Sequence, residues 1–163
     1  MKHLILNLKP ALTLILLILL GYNIKAQNSE QTKMFFNRNQ VALMKVEKEM
    51  YYANNTTYSA ELKKAMKYQA IALNLHNQGN FKDAVGYAYK SRNLCIEICT
   101  QMNIAERTFY ALNDDEKIYC HPASYNNLVI NMGLLQPAQI TEIDNLNLMD
   151  PANFYNVIMN ISK

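Results

Sequence analysis

Two strongly helical runs meet at LHNQGNFKDA, residues 75–84, and only a reversal of the chain explains a glycine between them. Glycine costs a helix roughly 1 kcal/mol relative to alanine. What it offers in return is a left-handed backbone that ends a helix without a Cβ clash. Asn80 then suits the cap of the next helix. The stretch reads as a sharp helix-turn-helix, with one helix over Ala60 to about Asn77 and the next over Phe81 to about Asn103.

In the first helix Leu62, Ala65, Met66, Ala72 and Leu73 form one face, and Tyr68, Ile71 and Leu75 form another. A helix apolar over most of its circumference lies between neighbours, so this one is expected at the centre. Ser59 is its expected N-cap, and Glu61 stands in the first turn, where the macrodipole favours an acid. In the second helix Phe81, Ala84, Ala88, Ser91, Cys95 and Met102 share a stripe whose small members permit close approach. Val85, Tyr89, Leu94 and Ile98 broaden it.

Upstream, Gln31 to Ala53 places Phe36, Leu43, Val46, Met50 and Ala53 at helical spacing, with Lys45, Glu47, Lys48 and Glu49 mostly turned away. Asn54-Asn55-Thr56-Thr57 ends that helix, because short polar side chains compete for backbone hydrogen bonds. Asn54 and Asn55 each begin an N-x-T pattern, which bears only on a eukaryotic secretory pathway. Downstream, Ile104 to Leu112 reads as continued helix and Asn113-Asp114-Asp115-Glu116 as a turn or cap. Pro122 breaks any element at Cys120-His121, and Asn126 to Met132 suits a short helix or an extended segment. Pro137 and Pro151 read as first-turn prolines, with Asp150 capping a last helix, Pro151 to about Ile161. No sustained alternation demands a sheet.

The chain opens with Lys2 and Lys9, an apolar run over Ala11 to Leu20 interrupted by Thr13, and Ile24-Lys25-Ala26. A basic start, an apolar middle and a small residue at the end are the order of a secretory signal peptide, with cleavage expected after Ala26. An uncleaved anchor needs about 20 apolar residues, and Gly21, Asn23 and Lys25 interrupt this run. No cysteine near the site offers amino-terminal lipidation. Removing 26 of the 163 residues leaves 137, the size of one domain, with no linker-like stretch dividing it. The expected organisation is a signal peptide over 1–26 and a single α-helical domain over 27–163, secreted or periplasmic, with no membrane insertion after cleavage. The segment removed carries three lysines and no acid, so 16 basic residues become 13, against 13 acidic ones. A near-neutral chain lacks the clustered Lys and Arg excess that phosphate backbones require, and nucleic acid is not an expected partner.

Tyr68, Ile71, Ala72 and Leu75, followed by Gly79, Phe81 and Ala84, fall where the tetratricopeptide-repeat family places its first-helix packing residues, its turn glycine and its early second-helix residues. The segment from about 68 to 91 resembles one such unit. Ala88 stands where the family has an aromatic, between Tyr87 and Tyr89. Ser91 takes the last small position, Ile96 replaces the closing proline, and no second copy lies in register. The resemblance implies a protein- or peptide-binding scaffold without catalysis. The expected fold is all-α, a helical bundle or a degenerate tetratricopeptide-like array around an antiparallel hairpin at about 60–103. The expected role is a non-enzymatic protein- or peptide-interaction scaffold in the bacterial envelope, with a small-ligand or glycan-binding helical protein as the alternative.

Residues that carry chemistry are few. After the leader only Gly79, Gly86 and Gly133 remain, too few for a phosphate-binding loop, and no H-E-x-x-H, G-x-S-x-G or paired C-x-x-C occurs. Cys95, Cys99, Cys120 and His121 offer four soft or borderline ligands, in a spacing that matches no common zinc pattern. Two readings of the cysteines stay open: a bridge from Cys120 to Cys95 or Cys99, or three small buried hydrophobes. Cys120-His121 is a weak nucleophile–base pair, since sequence neighbours rarely face each other. Asp114-Asp115-Glu116 lacks the alternation and glycine of a calcium loop. His76 suits the carbonyl end of its helix as a donor or cation. The tyrosines suit helical interfaces, with their hydroxyls reaching water. No catalytic, cofactor-binding or metal residue is assigned.

Overall fold

The computed structural model describes the backbone of residues 8–104 and 110–161, and the side chains from residue 28 onward within those ranges. Six helices pack together, and no strand occurs among the described residues: α1 (Leu8–Tyr52), α2 (Ser59–Asn77), α3 (Phe81–Gln101), α4 (Asp114–Tyr119), α5 (Pro137–Asp144) and α6 (Pro151–Ile161). Two 3-10 turns, Pro122–Tyr125 and Met132–Leu134, lie between α4 and α5.

Three helix ends use the same local chemistry. At the end of α2, Gly79 has φ +78°, its N–H donates to His76 O at 2.8 Å, and the Asn80 N–H donates to Leu75 O at 2.9 Å. That pair of bonds is the Schellman motif, which closes a helix by satisfying its last carbonyls. The Asn80 side chain then accepts from Asp83 N at the start of α3. Asn54 (φ 47°) ends α1 in the same way, with bonds from Asn54 to Tyr51 and from Asn55 to Met50. Asn103 (φ 57°) ends α3, with bonds to Thr100 and, from Ile104, to Cys99. The helix expected to continue from Ile104 therefore stops at Gln101; the rest of that expectation, 105–109, lies outside the described residues, and Ala111 and Leu112 are not helical.

Other expectations change in detail. α1 is helical from Leu8, not only from Gln31, so one helix spans both sides of Ala26. Ser59 lies inside α2, behind Tyr58, and its hydroxyl donates to Thr56 O at 2.7 Å. Residues 126–131 form a turn and an irregular loop rather than a short helix. Pro137 and Pro151 do open α5 and α6, and Asp150 accepts from Asn153 N at 3.1 Å.

Helices α2 and α3 lie antiparallel. Tyr68 meets Tyr87 with ring centroids 6.0 Å apart, and Ser91 Oγ donates to Ala65 O at 2.6 Å. A side chain bonding the opposite backbone directly needs the close approach that Ala84 and Ala88, both fully buried, allow. α1 covers one side of this hairpin with Phe35, Phe36, Ala42, Leu43, Val46 and Met50.

The remaining chain wraps these three helices as a strap. α4 leads into a 3-10 turn seated on α3, the loop at 128–131 crosses the hairpin, α5 packs on α2, and α6 packs on α1 and α2. Tyr68 Oη donates to Leu128 O at 3.4 Å, Tyr87 Oη to Val129 O at 3.2 Å and Lys90 Nζ to Asn126 O at 3.1 Å. These tyrosine hydroxyls reach backbone carbonyls of the strap rather than water. Asn74 Nδ2 donates to Leu134 O at 2.7 Å, and Lys67 pairs with Asp144 at 2.6 Å.

Gly86 sets how close the strap can come. A Cβ there would lie 2.6 Å from Tyr125 Cδ1 and 2.9 Å from Leu128 Cδ1. Alanine in a helix gains about 1 kcal/mol over glycine, whereas forcing atoms into a packed site costs about 1–3 kcal/mol. Gly86→Ala is expected to lower unfolding stability, by up to about 2 kcal/mol in urea titration. A rise in stability would show that Tyr125 is not seated on α3.

Candidate functional site

The most deeply buried charge is Arg92, 1 % exposed, on the inner face of α3. It stands between Ala88 and Cys95 at spacings of four and three, on the apolar stripe itself. Its Nη1 donates to both Glu116 oxygens at 2.8 and 2.9 Å, and its Nη2 donates to Phe35 O at 2.9 Å. The guanidinium carbon lies 3.9 Å from the Phe35 ring centroid, a cation–π geometry.

Glu116 serves three partners. It closes the N-terminus of α4 with Asn113 as a capping box, accepting from Asn113 N while its own N–H donates to Asn113 Oδ1. It also pairs with Arg92 and with Arg38 of α1, and Arg38 Nη2 donates to Ala111 O at 3.2 Å. Burial lowers the Arg92 pKa, and the Glu116 charge opposes that shift. This cluster joins α1, α3 and α4 as a structural lock: both Arg92 Nη atoms and the Glu116 carboxylate are engaged within it, and the buried Arg92 Nε alone has no hydrogen-bond partner among the described residues. The N-x-x-E pattern at 113–116 was the signal for the cap, but nothing local announced Arg92 as its partner.

The expected chemistry-bearing residues do not converge. Cys95, Cys99 and Cys120 are all buried and none is in a disulfide. Their second reading, as buried hydrophobes, holds. Burial raises the Cys95 thiol well above its ordinary value and pushes Cys120 up to about 12, despite the neighbouring Arg92. Cys120 is therefore protonated at neutral pH. His121 is exposed, and no group of three or more His, Cys, Asp or Glu placed to hold a metal occurs among the described residues. Asp114 and Asp115 are exposed in the first turn of α4, with Asp114 paired to Lys117 at 2.8 Å.

His76 stands in the last turn of α2, as expected, but among aromatic rings. It lies between Phe36 and Phe81, with ring centroids at 5.4 and 5.2 Å, and its buried Nδ1 has no partner among the described residues. Burial, and secondarily Lys33, lowers its pKa, which favours the neutral ring. It lines a cleft of about 260 Å³ together with Lys33, Asn37, Gln40 and Gln69. Gln69 is buried and accepts from Asn39 Nδ2.

The larger and more apolar opening lies between the C-terminal part of α1 and the start of α6. This groove of about 460 Å³ is walled by Val41, Met44, Tyr51, Tyr52, Phe154 and Tyr155. Tyr52 is 70 % exposed and Tyr155 48 %. Glu47 also lines it, and here the sequence reading is corrected: Glu47 is 4 % exposed rather than turned to solvent, because it shares the Leu43–Met50 face. Its Oε1 is buried without a hydrogen-bond partner among the described residues. Lys45 is bridged to Glu49 at 2.8 Å, and Lys48 Nζ lies 5.7 Å over the Tyr52 ring.

Among the described residues no helix is long and apolar enough to cross a membrane. Comparison with known proteins finds no matching family model, no similar curated protein and no similar solved structure.

Burial, and then the charge of Asp150, raises the Glu47 carboxyl above its ordinary range. A folded-state pKa above the unfolded one means that the native state holds the proton more tightly. Stability therefore falls as pH rises from the ordinary glutamate value through the raised one. Glu47→Gln is expected to flatten this window and to melt higher than wild type at pH 8, with little difference at pH 4. Parallel melting curves at both pH values would show that Glu47 is solvated.

Proposed function

We propose that this chain is an exported, non-enzymatic helical protein of the bacterial envelope that binds a protein or peptide segment in the groove between α1 and α6. The observation that carries this reading is the cluster of large apolar side chains left to water on one face. Val41, Tyr51, Tyr52 and Tyr155 are all exposed around one concavity. Exposed aromatic side chains rimming an apolar recess mark interaction sites on soluble proteins. The hairpin at 68–91, similar to a single tetratricopeptide unit, adds support for an interaction role. Export rests on the leader-like order of residues 1–26.

The alternative, a small-ligand or glycan binder, draws on the cleft beside His76, where Asn37, Gln40 and Gln69 bring amide groups together. That cleft is the smaller of the two and has less apolar wall to bury a ligand.

A photo-reactive phenylalanine analogue at position 155 tests the reading, with the same analogue at Ile118, an exposed apolar residue elsewhere. Irradiation of the exported protein in its native envelope is expected to give a discrete protein adduct from position 155 and none from 118. No adduct at 155, or matching adducts at both positions, would remove the groove from consideration.

A further inference from the structure

The cleft beside His76 carries one cation, and its wall contains no Asp or Glu. We infer that it binds a small molecule through a carboxylate, with Gln69 as the buried donor and Lys33 as the counter-charge; this stands apart from the groove reading. On α1, Lys33, Asn37 and Gln40 follow one another at spacings of four and three, and on α2, Gln69, Leu73 and His76 do the same. Residues so spaced share a helical face, so two helices present these groups to one opening.

Gln69 sets what the floor of the cleft can do. It is 2 % exposed, it lines the cleft, and its Oε1 accepts from Nδ2 of the fully buried Asn39. The group that remains is an NH2, which donates and does not accept. Gln69 Nε2 makes no hydrogen bond among the described residues. Unlike Asn39 Oδ1 and His76 Nδ1, which are buried without a partner, it is not closed off. It therefore keeps its access through the opening that Gln69 lines. A donor held in place from behind by Asn39 spares a ligand the cost of ordering it.

Charge selects the ligand. Lys33 is exposed and forms no ion pair among the described residues. Its charge helps to lower the His76 pKa, so ammonium and ring lie close together. A carboxylate in this cleft meets an ammonium and an amide donor, and hydrogen bonds to an ionised acceptor are about twice as strong as neutral ones. His76 contributes its ring rather than the closed Nδ1, and with Phe36 and Leu73 it gives a short apolar wall. Gln40 Nε2 donates to Met159 Sδ at 3.1 Å, which leaves its oxygen for any donor the ligand carries. At about 260 Å³ the cleft lies just below the roughly 300–1,000 Å³ of drug-sized sites, a size that suits an acid with a single ring.

The test uses the full exported chain, with benzoate as the probe and benzamide as its neutral counterpart of the same shape. Ring-proton NMR signals of His76 are expected to shift on benzoate titration, while those of His121, exposed and outside the cleft, stay in place. Benzoate should bind about tenfold more tightly than benzamide, the difference between a charged and a neutral acceptor. Lys33→Met, at an exposed position, is expected to weaken benzoate about two- to fivefold. Gln69→Glu keeps an oxygen for Asn39 Nδ2 but removes the donor, and should weaken benzoate about tenfold or more. Benzamide binding as tightly as benzoate would mean that Gln69 turns its oxygen to the cleft, and would overturn the carboxylate. Benzoate affinity that survives either substitution would overturn the inference too, and Lys33→Met alone decides if Gln69→Glu does not fold. Equal shifts at both histidines, or none at His76, would leave no site. Glycylphenylalanine binding more tightly than benzoate would assign the carboxylate to a chain end and overturn the small-acid source.

Discussion

An arginine taken out of water needs an anion and a set of acceptors, and in this chain Arg92 finds them in two other helices, α1 and α4. Glu116 supplies the charge, Phe35 supplies both a backbone oxygen and a ring face, and Arg38 shares the carboxylate from the outside. A buried ion pair contributes little net stability when complete, but removing one partner costs about 3–5 kcal/mol. Against a total of about 5–15 kcal/mol for a typical domain, that asymmetry makes the pair decisive. It commits α4 to one position on α1 and α3, and everything after α4 follows from where the strap begins.

From that anchor the strap runs over the hairpin with few regular hydrogen bonds of its own. Tyr68, Tyr87 and Lys90 hold its loop by bonding Leu128, Val129 and Asn126 carbonyls. Gly86 lets Tyr125 settle on the α3 backbone. Asn74 and Lys67 then fix the segment around α5, which delivers α6 beside α1. The groove is the product of that delivery: α6 buries Phe154, Val157, Ile158 and Ile161 and leaves Tyr155 outward, opposite Tyr51 and Tyr52. A groove built by two segments about a hundred residues apart depends on the lock far from it.

What could be read from the residues alone follows the range of the interaction. Gly79, Asn80, Pro137, Asp150 and Pro151 act on bonds within a few positions, and each stands where its local chemistry put it. The apolar stripes of α2 and α3 were equally legible, because helical periodicity is a local property. Glu47 and Arg92 were not, since a charge on an apolar stripe looks solvent-facing until its surroundings are known. Arg92 meets Glu116 across 24 positions, and Glu47 lies under a helix that begins at Pro151. The end of α3 was legible to within two residues, but the break before Ile104 was not, because Asn103, unlike glycine, does not advertise a left-handed backbone. His76 read from the sequence as a donor or cation at the end of its helix, and its place against Phe36, from another helix, was not legible there.

A double-mutant cycle across Arg92 and Glu116, measured by urea unfolding at pH 7, reports most directly on the lock. Arg92→Met alone is expected to cost about 3–5 kcal/mol. Adding Glu116→Gln should cost less than about 1 kcal/mol more, since the amide no longer leaves a buried charge without its deeper partner. Costs that add independently, to within about 0.5 kcal/mol, would mean that the two residues do not act through each other and that the strap is held elsewhere.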